Sequence, residues 1–270
     1  MNYCRKILAC CVMAAITAGC SISGEKSSER GFTISEMEKM SAVYHKEYSD
    51  NHNITKSAVK ELRNSQCIMR ALTRSVNGAF AGMRTEWAVD VTRDCSMNTA
   101  VLAHGRLLIS NCVVGKLHNQ DQEAYIIAHA FAHTLLEHDN ERITPYLAEK
   151  SKEKDYSFKQ YLRSQGGYDV FTKAVGLPDR DGDVMPYTAE HEMAADILAI
   201  QAMAGAGFNP SAALIVWQNM TRDDDLNASS YIRTHPHSPQ YLNQLSELVE
   251  QAMPVYRKAR TEYGRTPVCQ

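Results

Sequence analysis

His129-Ala130-Phe131-Ala132-His133 lies inside a run, Asp121 to Asn140, whose residues Ala124, Tyr125, Ile126, Ile127, Ala128, Phe131, Ala132, Leu135 and Leu136 make it apolar almost throughout. A helix that is apolar all round is a buried one, so this run is predicted to cross the core. Four residues turn a helix through about 400° and advance it about 6 Å, which sets His129 and His133 facing the same way one turn apart. One histidine in such a helix is ordinarily a satisfied core side chain. Two at this spacing make the geometry that holds a zinc ion from a single helix.

A second apolar run, Ala189 to Ala206, carries the complement. Glu192 and Asp196, again four apart, lie among Met193, Ala194, Ala195, Ile197 and Leu198, and Gly207 and Pro210 end the helix. Buried carboxylates need a cation or hydrogen-bond donors to offset lost hydration. Two histidines and a glutamate form a zinc set that leaves a fourth position for water. Asp196, one turn on, is placed to accept a hydrogen bond from the second ring nitrogen of a ligand histidine and so fix its tautomer. One zinc ion per chain on His129, His133 and Glu192, backed by Asp196, is the expected centre.

Around these helices the pattern is mixed. Thr85–Thr92 alternates Trp87, Val89 and Val91 with polar residues and is predicted to be a strand. Two more short strands are expected at Ala100–Ala103 and Arg106–Ser110, turning at His104-Gly105. From Ser35 to Arg74, Met37, Met40, Val43 and Tyr44 recur at helical spacing, giving one or two amphipathic helices. Residues 143–187 are charged, contain Gly166-Gly167 and Pro178, and read as a long insertion over one face. Further helices are expected at about 210–221 and 237–262, and no internal repeat is visible. The fold class is α+β, mostly helical, with a small β-sheet beside the helix that carries the histidines.

The first twenty residues read as an address. Arg5-Lys6 precedes an apolar stretch from Ile7 to Ala18, about half the length that spans a bilayer, and small residues follow. Ala18-Gly19-Cys20 resembles the end of a bacterial lipoprotein signal, in which the cysteine is acylated, although Thr17 stands where a large aliphatic residue is usual. Ordinary signal-peptidase cleavage is the alternative. With Ser21 next, the lipoprotein resemblance implies the periplasmic face of an outer membrane, held there by acyl chains on Cys20. The expected organisation is a signal over 1–20, a tether and N-terminal helix over 21–55, and one domain over 56–265. Beyond the signal and Cys20, Cys67, Cys95, Cys112 and Cys269 remain, an even number suited to two disulfides in an oxidising compartment. Three pairings are open.

Lys and Arg number 29 against 31 Asp and Glu, so no basic excess points to nucleic acid. Mean hydropathy of -0.37, with no apolar run near 18 residues, excludes a polytopic membrane protein.

The zinc helix, continuing to His138 and Glu141-Arg142, resembles the active-site helix of the HtpX-like zinc metallopeptidases, the group that includes the CAAX prenyl protease and small periplasmic lipoprotein peptidases. Asn98-Thr99-Ala100 to Gly105 is similar to that family's substrate-side strand, and Glu192-Met193-Ala194-Ala195-Asp196 to its third-ligand motif. Ala206-Gly207-Phe208-Asn209-Pro210 resembles the turn that follows, and Thr234-His235-Pro236 a late His-Pro element. The likeness spans about residues 60–250. It implies a zincin-like domain, zinc as cofactor, His235 (or its neighbour His237) at the cleft as a transition-state stabiliser or close to the metal, and a strand through Asn98, Ala100 and Ala103 that pairs with extended substrate. It also implies endopeptidase action on misfolded or unassembled envelope proteins.

One position departs from the family pattern H-E-x-x-H: residue 130 is Ala. In that motif the glutamate takes a proton from the attacking water and delivers it to the leaving amine. Glu137, seven residues on, shares the helical angle but lies about 10 Å along the axis, and Glu190 turns to another side of its helix. Neither substitutes. Three accounts follow: an engineered knockout, a natural pseudopeptidase that binds zinc and peptide, or slow hydrolysis by zinc polarisation alone. Catalysis is expected to be lost or severely impaired, and a non-catalytic chaperone or adaptor is the alternative. Asp179, Asp181 and Asp183 resemble a calcium loop, but Val184 occupies the glycine position and a polar turn is expected.

Overall fold

The computed structural model describes residues 32–51, 54–55, 59–80, 86–95, 99–150, 165–175, 177, 185–222, 235–236, 238–264 and 268–269. The signal and tether, Cys20, Asn98, the Asp179–Asp183 segment and His237 lie outside them.

In chain order the elements are α1 (Ile34–Asn51), β1 (Ile54–Thr55), α2 (Val59–Val76), β2 (Ala88–Thr92), β3 (Thr99–Leu102), β4 (Arg106–Ser110), α3 (Asn111–Val114), α4 (Gln120–Leu135), α5 (His138–Lys150), α6 (Gln165–Ala174), α7 (Ala189–Ala206), α8 (Ala212–Arg222) and α9 (Pro239–Tyr263). The fold is α+β and mostly helical, with one four-stranded sheet of order β1-β2-β4-β3. β2 and β4 run parallel, while β3 pairs antiparallel with β4, Ala100 opposite Leu108 and Leu102 opposite Arg106. The hairpin between them closes on Gly105, whose φ of 91° only glycine adopts at little cost.

Both faces of the sheet are covered, which explains the continuous apolar run Leu107-Leu108-Ile109. Strand alternation sends Val101, Leu107 and Ile109 into the main core with Tyr125, Phe131, Met203 and Phe208. The opposite set, Ala100, Leu102 and Leu108, packs with Met37, Met40, Tyr44 and Phe171 from α1 and α6. Each Val, Leu, Ile, Phe or Met among them contributes about 1.5–3 kcal/mol by its burial. α4 lies between β3, α2 and α7, and α7 in turn packs on α9.

Caps set the helix ends. Asn119 accepts from Gln122 N at the start of α4, Thr188 accepts from His191 N at the start of α7, and Gly207 ends α7 at φ 83°.

Two expectations change. The zinc helix does not run to Asn140: it stops at Leu135, and Glu137 takes φ 57°, which swings α5 off in a new direction. The stretch from residue 143 is no featureless insertion, because α5 extends to Lys150 and α6 lies within it, burying Ile143, Phe171, Ala174 and Leu177 against the sheet. Their apolar spacing is too brief to show as periodicity. β1, two residues long, exists through its pairing with β2.

Candidate metal centre

α4 and α7 cross in the core and bring their polar residues together. His129 and His133 are each 6% exposed, Glu192 0% and Asp196 1%. The Nε2 atoms of His129 and His133 stand 3.1 Å apart. Glu192 Oε2 is 3.2 Å from His129 Nε2, and its Oε1 is 3.8 Å from His133 Nε2. A fourth side chain enters from the chain just before α9: His235 Nε2 lies 3.4 Å from Glu192 Oε2. Trp217 Nε1 donates to Pro236 O at 3.2 Å and fixes that segment. One ligand atom each from His129, Glu192 and His235 fall within 4.8 Å of one another.

The residues fit a zinc ion. Both oxygens of Glu192 are buried without a well-formed hydrogen bond, and only the ring nitrogens of His129, His133 and His235 face them; a buried ionised carboxylate needs positive charge at that point. Ligands about 2.0–2.2 Å from a tetrahedral zinc stand roughly 3.3–3.6 Å from each other, and the four spacings above straddle that range.

The ring nitrogens that face away are held. His129 Nδ1 donates to Asp196 Oδ1 at 2.8 Å. Asp196 also accepts from Tyr125 at 2.8 Å and Tyr241 at 2.6 Å. His133 Nδ1 meets His138 Nδ1 at 2.9 Å. Burial opposes charge on His129, but Asp196 and Glu192 outweigh it and raise its pKa to about 10. Burial, then the neighbouring histidines, hold His133 well below the usual range. Burial works against the Asp196 carboxylate too, yet its bonds from His129, Tyr241 and Tyr125 leave it more acidic than usual. Positive charge is drawn to the Asp196–His129–Glu192 side of the cluster.

Tyr125, which the sequence shows only as one of the apolar-run residues of its helix, and Tyr241 both prove to hold Asp196. Tyr125 is four residues before His129, on the same face of α4, and that spacing was the available signal. Tyr241 comes from α9, with no local signal. Tyr187, also unforeseen, stacks on His133 with centroids 3.8 Å apart, and the Arg142 guanidinium lies 3.8 Å from the Tyr187 ring centroid.

Ala130 is partly buried against the main core. Glu137 is occupied as an acceptor from Asn140 Nδ2 at 3.2 Å, and Glu190 is exposed. β3 is one of the sheet's two edge strands, with Ala100 buried in it and Ala103 in the turn beyond. Val101 O, on that strand, accepts from Thr134 Oγ1 of α4. Cys67 pairs with Cys269 and Cys95 with Cys112, with Cα atoms 5.8 and 5.4 Å apart.

A buried helix with two histidines one turn apart, a glutamate from α7 packed against it and a small sheet alongside are the features of a zincin-type metallopeptidase fold. Residues 61–249 match the sequence model of Peptidase family M48, and the chain belongs to that family. Among curated proteins it is similar to "Mitochondrial metalloendopeptidase OMA1" of Schizosaccharomyces pombe, 26% identical over 210 residues that cover 74% of this chain and 57% of that protein. The protein of the same name from Saccharomyces cerevisiae is 26% identical over 187 residues, 64% of this chain and 50% of the relative. The Arabidopsis thaliana one is 23% identical over 184 residues, 67% and 36%. The chain thus spans about half the length of these fungal relatives. No helix among the described residues is long and apolar enough to cross a membrane.

Proposed function

We propose that this chain is a zinc metalloendopeptidase of the small lipoprotein type whose cleavage step is lost or severely impaired, and that it engages misfolded or unassembled cell-envelope proteins. The family match and the His129–His133–Glu192 cluster support the zinc. When bound, zinc acidifies a water and polarises a carbonyl. The chain's own residues do the rest: Asp196 and His138 orient the two imidazoles, Glu192 supplies the anionic ligand, and the β3 edge offers backbone groups to an extended peptide. The observation that carries the impairment is Ala130, which stands between the two histidines and can neither accept nor deliver a proton. The anchor is acylated Cys20, and the location the periplasmic face of an outer membrane.

The test compares zinc-loaded protein with its Ala130→Glu form on casein. Cleavage by the Glu form alone, stopped by a chelator, supports the reading. Cleavage by both at equal rates overturns it.

His235 favours a second reading, a non-catalytic zinc protein that binds peptide as a chaperone or adaptor. With His235 as a fourth protein ligand the shell is filled, as in structural zinc sites. Binding of unfolded casein by both forms, with cleavage by neither, selects it.

A further inference from the structure

We propose that His138 is a positioning residue: it accepts a hydrogen bond from His133 Nδ1 and thereby fixes the tautomer that presents His133 Nε2 to the metal. The inference rests on the reading of His133 as a zinc ligand and goes beyond it to a residue outside the ligand set.

Two ring nitrogens at 2.9 Å form a hydrogen bond only if one carries a proton and the other a lone pair. His133 Nε2 faces His129 Nε2 and Glu192 Oε1. As a ligand it needs its lone pair there, so the His133 proton sits on Nδ1. His138 Nδ1 is then the acceptor, and His138 is the neutral ring protonated on Nε2. Ligand histidines usually donate their second N–H to a carboxylate, a backbone carbonyl or water. Here His129 follows that rule through Asp196, whereas His133 relies on an uncharged imidazole.

The backbone is shaped for this contact. In an unbroken helix residue 138 would lie about 140° around the axis from residue 133, out of reach. The break at Glu137, with φ 57°, brings His138 back against His133 as the first residue of α5. A non-glycine residue in that region is strained and persists only where its surroundings enforce it. Asn140 helps to enforce it, accepting from Phe32 N at 3.2 Å and donating to Phe32 O at 2.8 Å. His138 is 5% exposed, and its other flank is closed by the His191 ring, stacked at 4.4 Å. His191 is held in turn by Glu141 at 3.1 Å.

The test is zinc affinity of the full chain, measured by competition with a chromogenic chelator, with folding followed by near-ultraviolet circular dichroism. Phe replaces the ring without an acceptor, and Asn or Gln restores one. His138→Phe is expected to weaken zinc binding 10–100-fold, and His138→Asn or His138→Gln to recover to within a few-fold of the parent. A folded His138→Phe protein that binds zinc like the parent overturns the proposal. So does failure of both amide variants to recover affinity while folded, which also decides the matter if the Phe variant does not fold. Should the parent bind no zinc, or His133→Ala bind it equally well, the ligand reading itself falls and the proposal with it.

Discussion

His129 and His133 face each other through Nε2 at 3.1 Å while their Nδ1 atoms turn away to unlike partners, an aspartate for one and an imidazole for the other. The carboxylate raises the basicity of His129 and the neutral ring orients His133 without adding charge. A zinc ion held there, as proposed, would be bound through two histidines of unequal strength.

Removing either side chain of the cluster should therefore empty it. His133→Ala and Glu192→Ala proteins are expected to retain no zinc after dialysis, against one per chain for the parent, as read by atomic absorption. Full zinc content in both would mean that the metal sits elsewhere.

Ala130→Glu restores the missing proton carrier. General acid–base catalysis contributes roughly 10²–10⁴-fold, so casein hydrolysis should rise from background by at least that factor, and a chelator should abolish it.

Tyr241 donates to Asp196 at 2.6 Å inside the core. A hydrogen bond to a charged group contributes about 1.5–3 kcal/mol, so Tyr241→Phe should lower stability by about that amount in urea unfolding. Zinc content should stay near one per chain, since the Asp196–His129 bond remains. Adding Tyr125→Phe should cost more than the sum of the two, because the second loss leaves Asp196 with His129 alone.

Asp139 is buried, and burial lifts its carboxyl from 3.8 to about 7, against a backbone N–H of Asn140 and with Glu137 adding and Arg142 subtracting. The unfolded chain releases this proton near pH 4 and the folded protein near pH 7. Between those values the folded state holds an extra proton, so stability falls as pH rises through that window and levels off above it. Asp139→Asn should match the parent near pH 3 and exceed it at pH 8, by up to about 4 kcal/mol. Equal unfolding midpoints at pH 8 would refute this.

The two disulfides should differ in worth. The Cys67–Cys269 bridge spans a sequence separation of 202 and the Cys95–Cys112 bridge 17. Chain entropy assigns about 5 kcal/mol to the first and about 3 to the second, so Cys67→Ser/Cys269→Ser should shift the unfolding midpoint further than Cys95→Ser/Cys112→Ser.

The centre was legible where its logic lies within one helix. The four-residue spacings of His129 with His133 and of Glu192 with Asp196 needed only helical geometry, and the stops at Gly105 and Gly207 were written in residue type. Glu137 was not legible, since nothing in a glutamate announces a left-handed backbone. That turn depends on Asn140 and Phe32, which meet across 108 positions. α6 was missed for a similar reason: Phe171 earns its place by packing on Tyr44 at 5.6 Å, a contact that no local pattern encodes. Tyr241 reached Asp196 through the crossing of α7 and α9, which only the folded chain reveals.

The partner of Cys67 lies 202 residues further along the chain, at Cys269. As the chain emerges from its N-terminus, Cys67 appears before Cys95 and Cys112, which follow 17 residues apart and are near enough to close on each other. Cys67 must stay reduced until residue 269 has been delivered, 202 positions later. Were Cys95 and Cys112 slow to join, Cys67 would meet one of them long before Cys269 arrived. Correct assembly therefore depends on a race in which the short loop must win, and a thiol–disulfide shuffling catalyst would matter most to the molecules that lose it.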